Sequence, residues 1–179
     1  MLPDVLAADL DIVFCGTAAG TASARQRAYY AGPGNSFWPT LYAVGLTPRQ
    51  LFPREYGEIL QWKLGLTDLA KYVFGSDNEL AKNHFDTARL FRLIEEYRPA
   101  VLAFTSKRAA GEFLGRAVVG YGLQTEVVAS SRLVVLPSPS GAARGHWNLA
   151  PWRELASLRS GAGRGSAAAS SMRPRPVRP

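Results

Sequence analysis

The chain has 179 residues, of which 47% are hydrophobic and 20% are charged, and its formal net charge is +7. One cysteine and two histidines exclude an internal disulfide and a zinc or iron–sulfur site built on paired cysteines, and we expect neither metal nor cofactor. No apolar run approaches the ~18 residues of a membrane helix, and no signal peptide is evident, so we expect no membrane association and a cytoplasmic location.

The length and the uneven charge predict one domain over residues 1–159, with its own core, and a short tail. Residues 160–179 contain four arginines and no acidic residue, and are otherwise rich in Gly, Ala, Ser and Pro. This composition is typical of a disordered segment. The basic excess favours an anionic partner such as nucleic acid, although a solubilising surface would give the same charge.

The predicted elements alternate between short apolar strands and helices. Strands are predicted at 11–15, 100–104, 125–129 and 133–136, with 65–69 as a strand or a connecting segment. Helices are predicted at 36–44, 54–64, 86–97, 107–114 and 150–158. The alternation predicts an α/β layer structure with a largely parallel central sheet. Since ligands of such sheets bind beyond the carboxyl ends of strands, loops 16–35 and 137–146 should face one crevice.

The loop after the first predicted strand combines small residues, arginines and tyrosines. Small residues allow close backbone approach, aromatic rings stack on bases, and arginines contact phosphates. This composition is typical of a site for a flat ligand on a phosphate chain. The turn Gly16–Gly20 lacks the spacing of a dinucleotide fingerprint and the lysine of a phosphate loop, which disfavours a nucleotide-dependent enzyme.

Five segments then occur in a fixed order: VFCGTAAGT, YAGPGNSFW, GLTPRQL, GLTDLA and VVLPSPSGAAR. They resemble the mismatch-specific uracil-DNA glycosylases and thymine-DNA glycosylases of the uracil-DNA glycosylase superfamily, over about residues 10–158. The resemblance implies a three-layer α/β/α sandwich that excises a flipped uracil or related base. It further implies a monomer associated with the nucleoid, with uracil-containing or abasic DNA as its partner and free uracil as its product.

The resemblance also assigns candidate residues for binding the base. Tyr30 stands where the family stacks an aromatic ring on the flipped base, the alternative being a core tyrosine beside Tyr29. Thr17, Ala18 and Tyr30 would offer backbone groups to the edge of the base. Asn35 would fix the loop through side-chain to backbone hydrogen bonds, and Phe37 and Trp38 are expected in the core.

The segment 137–144 resembles the loop that enters the DNA helix when the base leaves. Ser140 and Gly141 would contact phosphate, Arg144 would bind phosphate or fill the vacated space, and Ala142 stands at the wedge position. The alternative is a surface turn rich in small residues.

Three positions depart from the pattern of the family. Ala18 replaces the asparagine that holds the attacking water, Ser138 replaces an asparagine or histidine, and Ala142 replaces a wedge that is often leucine. Losing a positioned acid–base group typically costs about 10²–10⁴ in rate. Two interpretations remain open: another group supplies the chemistry, or the chain has lost cleavage and binds abasic or damaged DNA.

Asp68 and His146 are the candidate catalytic residues. The Asp68 carboxylate would orient water and support the positively charged sugar, unless it merely forms a helix cap or an ion pair with Lys71. His146 would contact the leaving base or the adjacent phosphate, unless it is a surface histidine beside Trp147. Uracil is the expected base because it is the best leaving group among pyrimidine lesions, with hypoxanthine and xanthine as alternatives.

Overall fold

Five strands form one mixed sheet in the computed structural model, which describes residues 1–160. Their order across the sheet is β2-β1-β3-β5-β4, and only the β4–β5 pair is antiparallel. The prediction of an α/β fold with a largely parallel sheet is therefore confirmed. The strands are β1 (Ile12–Gly16), β2 (Leu64–Asp68), β3 (Val101–Phe104), β4 (Gly122–Val128) and β5 (Ser131–Val135).

Within residues 1–160, five α-helices accompany the sheet, and two of them begin at the side-chain caps that their sequences favour. Asp86 accepts a hydrogen bond from the Arg89 N–H at 2.8 Å, and Ser106 accepts one from the Ala109 N–H at 3.0 Å. The helices are α1 (Thr21–Gln26), α2 (Phe37–Ala43), α3 (Thr87–Tyr97), α4 (Lys107–Leu114) and α5 (Ala150–Ser160).

Shorter 3-10 turns complete the secondary structure. The helix predicted at 54–64 is present as the 3-10 helical segment Pro53–Trp62 rather than as an α-helix. Gly57 lies in its middle and weakens an α-helix, and Lys63, with a φ of 56°, ends the segment directly before β2. The remaining 3-10 turns are Asp77–Glu79, Lys82–His84 and Gly141–His146.

Helices cover both faces of the sheet, which gives the three-layer α/β/α arrangement. Successive side chains of the buried strand β1 point into opposite cores, Ile12 and Phe14 into one, Val13 and Cys15 into the other. The first core contains the apolar residues of α2 and α5, including Phe37 and Trp38 as expected. The second core contains those of α3 and α4.

The register of the parallel strands brings their carboxyl ends to one edge. Gly16 pairs with Asp68, and Phe104 pairs with both Cys15 and Val135. None of the helices in residues 1–160 combines the length and apolar composition that crossing a membrane requires. The predicted tail, 160–179, lies outside the described residues apart from its first residue, which ends α5.

Candidate active site

A crevice of about 800 Å³ lies beyond the carboxyl ends of the parallel strands. The loops that follow β1 and β5 both line it, as the sequence predicted, and the loops after β2 and β3 contribute as well. The lining includes Tyr30, Asp68, Thr105 and the segments 16–23, 75–79 and 138–143.

Asp68, the last residue of β2, forms part of the crevice wall and is 4% exposed. Its carboxylate packs against Gly16 so closely that a Cβ atom at Gly16 would lie 2.5 Å from Asp68 Oδ1. Burial raises the pKa of Asp68 to about 6; the carboxylate of Asp4 acts in the same direction, and the cations of Lys71 and Arg89 act against it. Asp68 is therefore mostly ionised at neutral pH, and holding this buried charge costs desolvation free energy.

A buried cluster of charged and polar groups lies behind Asp68. Lys71 Nζ forms an ion pair with Asp4 Oδ1 at 2.7 Å and donates a hydrogen bond to the Tyr29 hydroxyl at 2.7 Å. Arg89 forms a second ion pair with Asp4 and donates to the backbone carbonyl of Asp68 at 3.2 Å. Lys71 is thus paired with Asp4, and no ion pair within residues 1–160 includes Asp68.

Tyr30 faces the crevice from a rigid support. Its ring stacks on Phe37 with the centroids 3.8 Å apart and the planes 14° from parallel, and its hydroxyl lies 3.2 Å from Thr105 Oγ1. Its backbone φ of 53° is in the left-handed region, which is uncommon for a tyrosine. Burial raises the pKa of Tyr30 well above its ordinary value, so the hydroxyl is neutral. Tyr29 is buried in the first core, and Tyr30 is partly buried and packs against that core.

The turn after β1 lines the crevice and is held in place by hydrogen bonds. The Thr17 carbonyl accepts a hydrogen bond from the Ala70 N–H at 2.7 Å, and Thr17 Oγ1 lies 2.8 Å from Ser106 Oγ. These contacts fix the turn. The N–H groups of Thr17, Ala18 and Tyr30 meet no acceptor in the part of the chain that the structure describes, so they remain available to a ligand.

The two loops are fastened to each other. Asn35 Oδ1 accepts a hydrogen bond from the Phe37 N–H at 2.9 Å, which confirms the expected side-chain to backbone bond. The N–H and hydroxyl of Ser36 both donate to the Pro139 carbonyl, at 2.8 and 3.2 Å. A Cβ atom at Gly141 would lie 2.8 Å from the Pro33 carbonyl oxygen, so only glycine allows this contact.

The second loop presents small side chains to the crevice and basic ones to its outside. Ser140 and Gly141 line the crevice with Ala142, which is exposed. The Arg144 guanidinium lies over Gly34, in the space that a side chain at Gly34 would occupy. His146 is exposed at the end of the same turn and does not line the crevice, so the structure does not bring it together with Asp68.

Several residues of the site were not predicted from the sequence. Thr105 and Ser106 line the crevice, and their place directly after a predicted strand was a usable signal. Asp4 carried no such signal, since its partners Lys71 and Arg89 lie far along the chain. Within residues 1–160, no group of three or more His, Cys, Asp or Glu side chains is placed to hold a metal ion.

Two comparisons with known proteins agree with this geometry. The family model of the Uracil DNA glycosylase superfamily matches residues 3–159. The solution NMR structure of a protein from Methanosarcina acetivorans, described as a candidate uracil DNA glycosylase, is similar with a TM-score of 0.59. It is 20% identical in sequence, and the similarity covers 89% of this chain and 95% of that chain. At this identity the likeness to the solved structure shows the fold alone.

Proposed function

The chain belongs to the uracil DNA glycosylase superfamily, a family of DNA glycosylases, and we propose that it excises uracil from DNA by hydrolysing the bond between base and sugar. One observation carries the proposal. A supported aromatic ring, free backbone donors and a buried carboxylate, those of Tyr30, Ala18 and Asp68, meet in one crevice.

Tyr30 and the turn after β1 would recognise the base. A base that has left the duplex would stack on the Tyr30 ring, whose other face is held by Phe37. The free N–H groups of Thr17, Ala18 and Tyr30 would donate to the carbonyl oxygens of uracil. Cytosine carries an amino group where uracil has one of these oxygens, so one donor would face another donor, which is unfavourable.

Asp68 and the same backbone donors would promote the chemical step. When the bond between C1′ and the base nitrogen breaks, its electron pair leaves with the base, and the N–H groups stabilise the resulting negative charge. The Asp68 carboxylate orients a water molecule toward C1′ and stabilises the positive charge of the sugar ring. The water oxygen bonds to C1′, and its proton passes to the carboxylate and then to the departing base.

The loop after β5 would hold the DNA strand. Ser140 and Gly141 would approach a phosphate through hydroxyl and backbone groups, and Arg144 would pair with a phosphate. His146 lies outside the crevice and is exposed, which favours contact with a phosphate over contact with the base. Ala142 would enter the helix as a blunt wedge, with little dependence on the opposite base.

A second candidate function rests on Ala18 and Ser138. Ala18 cannot hold a water molecule as the asparagine that it replaces does, and Ser138 replaces a second functional side chain, an asparagine or histidine. Both changes favour a protein that binds abasic DNA without cleaving. Cleavage and binding assays on one set of oligonucleotides separate the two functions.

The decisive assay uses labelled oligonucleotides that contain uracil in a single strand, opposite guanine or opposite adenine, with hypoxanthine and xanthine as further substrates. After incubation, alkali converts each abasic site into a strand break. We expect breaks at uracil and none without alkali, with Asp68→Asn as the matched inactive control. If no strand break exceeds the control without protein, excision is refuted, and tight binding to abasic DNA in that case supports the second function.

A further inference from the structure

Two large aromatic side chains stand exposed beside the crevice. Tyr72 is 69% exposed and Phe74 is 62% exposed, and we call this pair the aromatic rim. Neither ring stacks on another ring or meets a cation within residues 1–160. Single exposed aromatic residues are common, so exposure alone does not assign a function to the rim. Its position beside the crevice is the evidence for one.

The aromatic rim belongs to a fixed segment at the mouth of the crevice. Phe74 pairs with Ala19 in a short parallel bridge, and the Gly75 N–H donates to the Ala19 carbonyl at 3.0 Å. Residues 75–79, which follow directly, line the crevice. Arg108 holds the far end of the segment by donating to the Leu80 carbonyl at 2.8 Å. The segment that carries the rim is therefore continuous with the wall of the crevice.

The aromatic rim and the loop of Ala142 lie on opposite sides of the crevice. The rim follows β2 and the loop follows β5, and β1 and β3 lie between these two strands. At about 4.8 Å per strand position, the strands β2 and β5 that precede the two sides are roughly 14 Å apart. The side of Ala142 presents only a methyl group, so the large apolar surface at the mouth lies on the side of Phe74.

Exposed carboxylates lie beside the rim, where the Arg108 guanidinium also donates to two backbone carbonyls of the same segment. Asp77 and Glu79 are exposed beside the rim, and hydrogen bonds from the backbone N–H and hydroxyl of Ser76 lower the pKa of Glu79, which keeps it ionised. These carboxylates repel phosphates. Arg144 stands on the opposite side. The phosphate chain is thus favoured on the side of Arg144, and uncharged base faces are favoured on the rim.

We propose that the aromatic rim stacks against unpaired bases of the DNA strand that flank the flipped nucleotide. The inference rests on the proposed function, because DNA is the ligand in both. Stacking of a base on an aromatic ring needs no phosphate contact and accepts any base. The rim therefore supplies, from the β2 side, the large apolar contact that Ala142 does not supply from the β5 side.

The test measures binding of the full chain to a single-stranded oligonucleotide that carries a stable abasic analogue and 2-aminopurine on its 5′ or 3′ side. Phe74→Ala and Tyr72→Ala remove the rings, Phe74→Trp keeps an aromatic ring, and Tyr42→Ala removes an aromatic side chain that is 51% exposed away from the crevice. Thermal melting checks that each variant is folded.

We expect Phe74→Ala to weaken binding about tenfold at every salt concentration, because stacking and not a phosphate contact is lost. The change in 2-aminopurine fluorescence on binding should also disappear on one side of the abasic site. Phe74→Trp should bind within about twofold of the unsubstituted protein, and Tyr42→Ala should match it.

Two results overturn the inference in different ways. If Phe74→Ala and Tyr72→Ala bind as tightly as Tyr42→Ala and give the same fluorescence change, the rim does not contact bases, and the proposed function is unaffected. If the unsubstituted protein does not prefer abasic DNA and releases no base, the proposed function fails and the inference fails with it.

Discussion

The carboxylate of Asp68 packs against the Cα atom of Gly16, its partner in the register of β1 and β2. A methyl group at Gly16 would lie 2.5 Å from Asp68 Oδ1, so the carboxylate must move while the strand stays in place. We predict that Gly16→Ala folds but loses at least tenfold in the single-turnover rate of base release. Gly20→Ala is the matched control, since a Cβ atom there meets nothing within 4 Å. Equal rates for the two variants would contradict the role given to Asp68.

Asp68→Asn should lower activity and raise stability together. The unfolded chain ionises near the ordinary pKa of 3.8, and the folded chain ionises near 6. Folding therefore favours the protonated carboxyl of Asp68. The stability that the protonated carboxyl contributes is fully present below pH 4 and is lost as the pH rises through about 6. The neutral amide avoids this loss, which is on the order of 2–3 kcal/mol for a shift of about two pKa units.

Chemical denaturation at pH 4 and pH 7.5 measures this effect. We expect the variant to exceed the unsubstituted protein in free energy of unfolding at pH 7.5 and to match it more nearly at pH 4. The base-release rate of the unsubstituted protein should fall about tenfold per pH unit below pH 6. Asp77→Asn, which neutralises an exposed carboxylate at the crevice, serves as the control. If Asp68→Asn gained less stability over the unsubstituted protein at pH 7.5 than at pH 4, the predicted direction of the pH dependence would be wrong.

Lys71 and Asp4 should shift the ionisation of Asp68 in opposite directions. Lys71→Met removes a cation that lowers the pKa of Asp68, so that pKa should rise above 6. Asp4→Asn removes a carboxylate that raises it, so the pKa should fall. NMR titration of the side-chain carboxyl carbon reports these shifts independently of activity. Glu96→Gln, on the exposed side of α3, should leave the titration unchanged, and shifts of one sign in both variants would refute the assignment.

Tyr30 should act through its ring and not through its hydroxyl. Tyr30→Ala removes the stacking surface, and we expect the KM for a uracil oligonucleotide to rise about tenfold or more. Tyr30→Phe loses only the 3.2 Å contact with Thr105 and should stay within a few-fold of the unsubstituted protein. Steady-state kinetics with a melting control distinguish the two variants, and a larger defect in Tyr30→Phe would point to the hydroxyl instead.

Arg144 should contribute to DNA binding through one phosphate. Arg144→Ala should lower the slope of log K against log salt by about 0.7–0.9, the value for one phosphate contact. The control is Arg49→Ala, because the Arg49 guanidinium pairs with Glu55 and Glu58 away from the crevice. If Arg144→Ala weakens binding without changing the slope, the guanidinium fills the vacated space rather than binding a phosphate.

The layered fold was predictable because its signals are local. Apolar strands alternate with helices, Asp86 precedes a helix with a regular apolar period, and the two loops that follow strands meet at one edge. The helix α1 (Thr21–Gln26) escaped prediction because six residues within a glycine-rich loop give no period to measure. The 3-10 form of Pro53–Trp62 escaped because repeats of 3.0 and 3.6 residues per turn are hard to distinguish within ten residues.

The electrostatics of the site were less predictable because they depend on contacts between distant parts of the chain. Asp68 stood out in the sequence only by its place in a motif, and the alternative to its catalytic role was a helix cap or an ion pair with Lys71, three positions away. The structure pairs Lys71 with Asp4 instead, and Arg89 reaches the same carboxylate. No local pattern announces such a pairing, because it arises only when the N-terminal segment packs against β2.

The two hydrogen bonds from Ser36 to the Pro139 carbonyl have a mechanical consequence. These bonds join the wall that would hold the base to the loop that would enter the duplex, so we expect the two to move together. Distortion during recognition must then occur in the nucleic acid, whose stiffness depends on sequence and pairing. Mismatched, nicked or single-stranded stretches bend and unstack at the least energetic cost. Under the proposed function, we therefore expect this pair of loops to favour the weakest points of a DNA molecule.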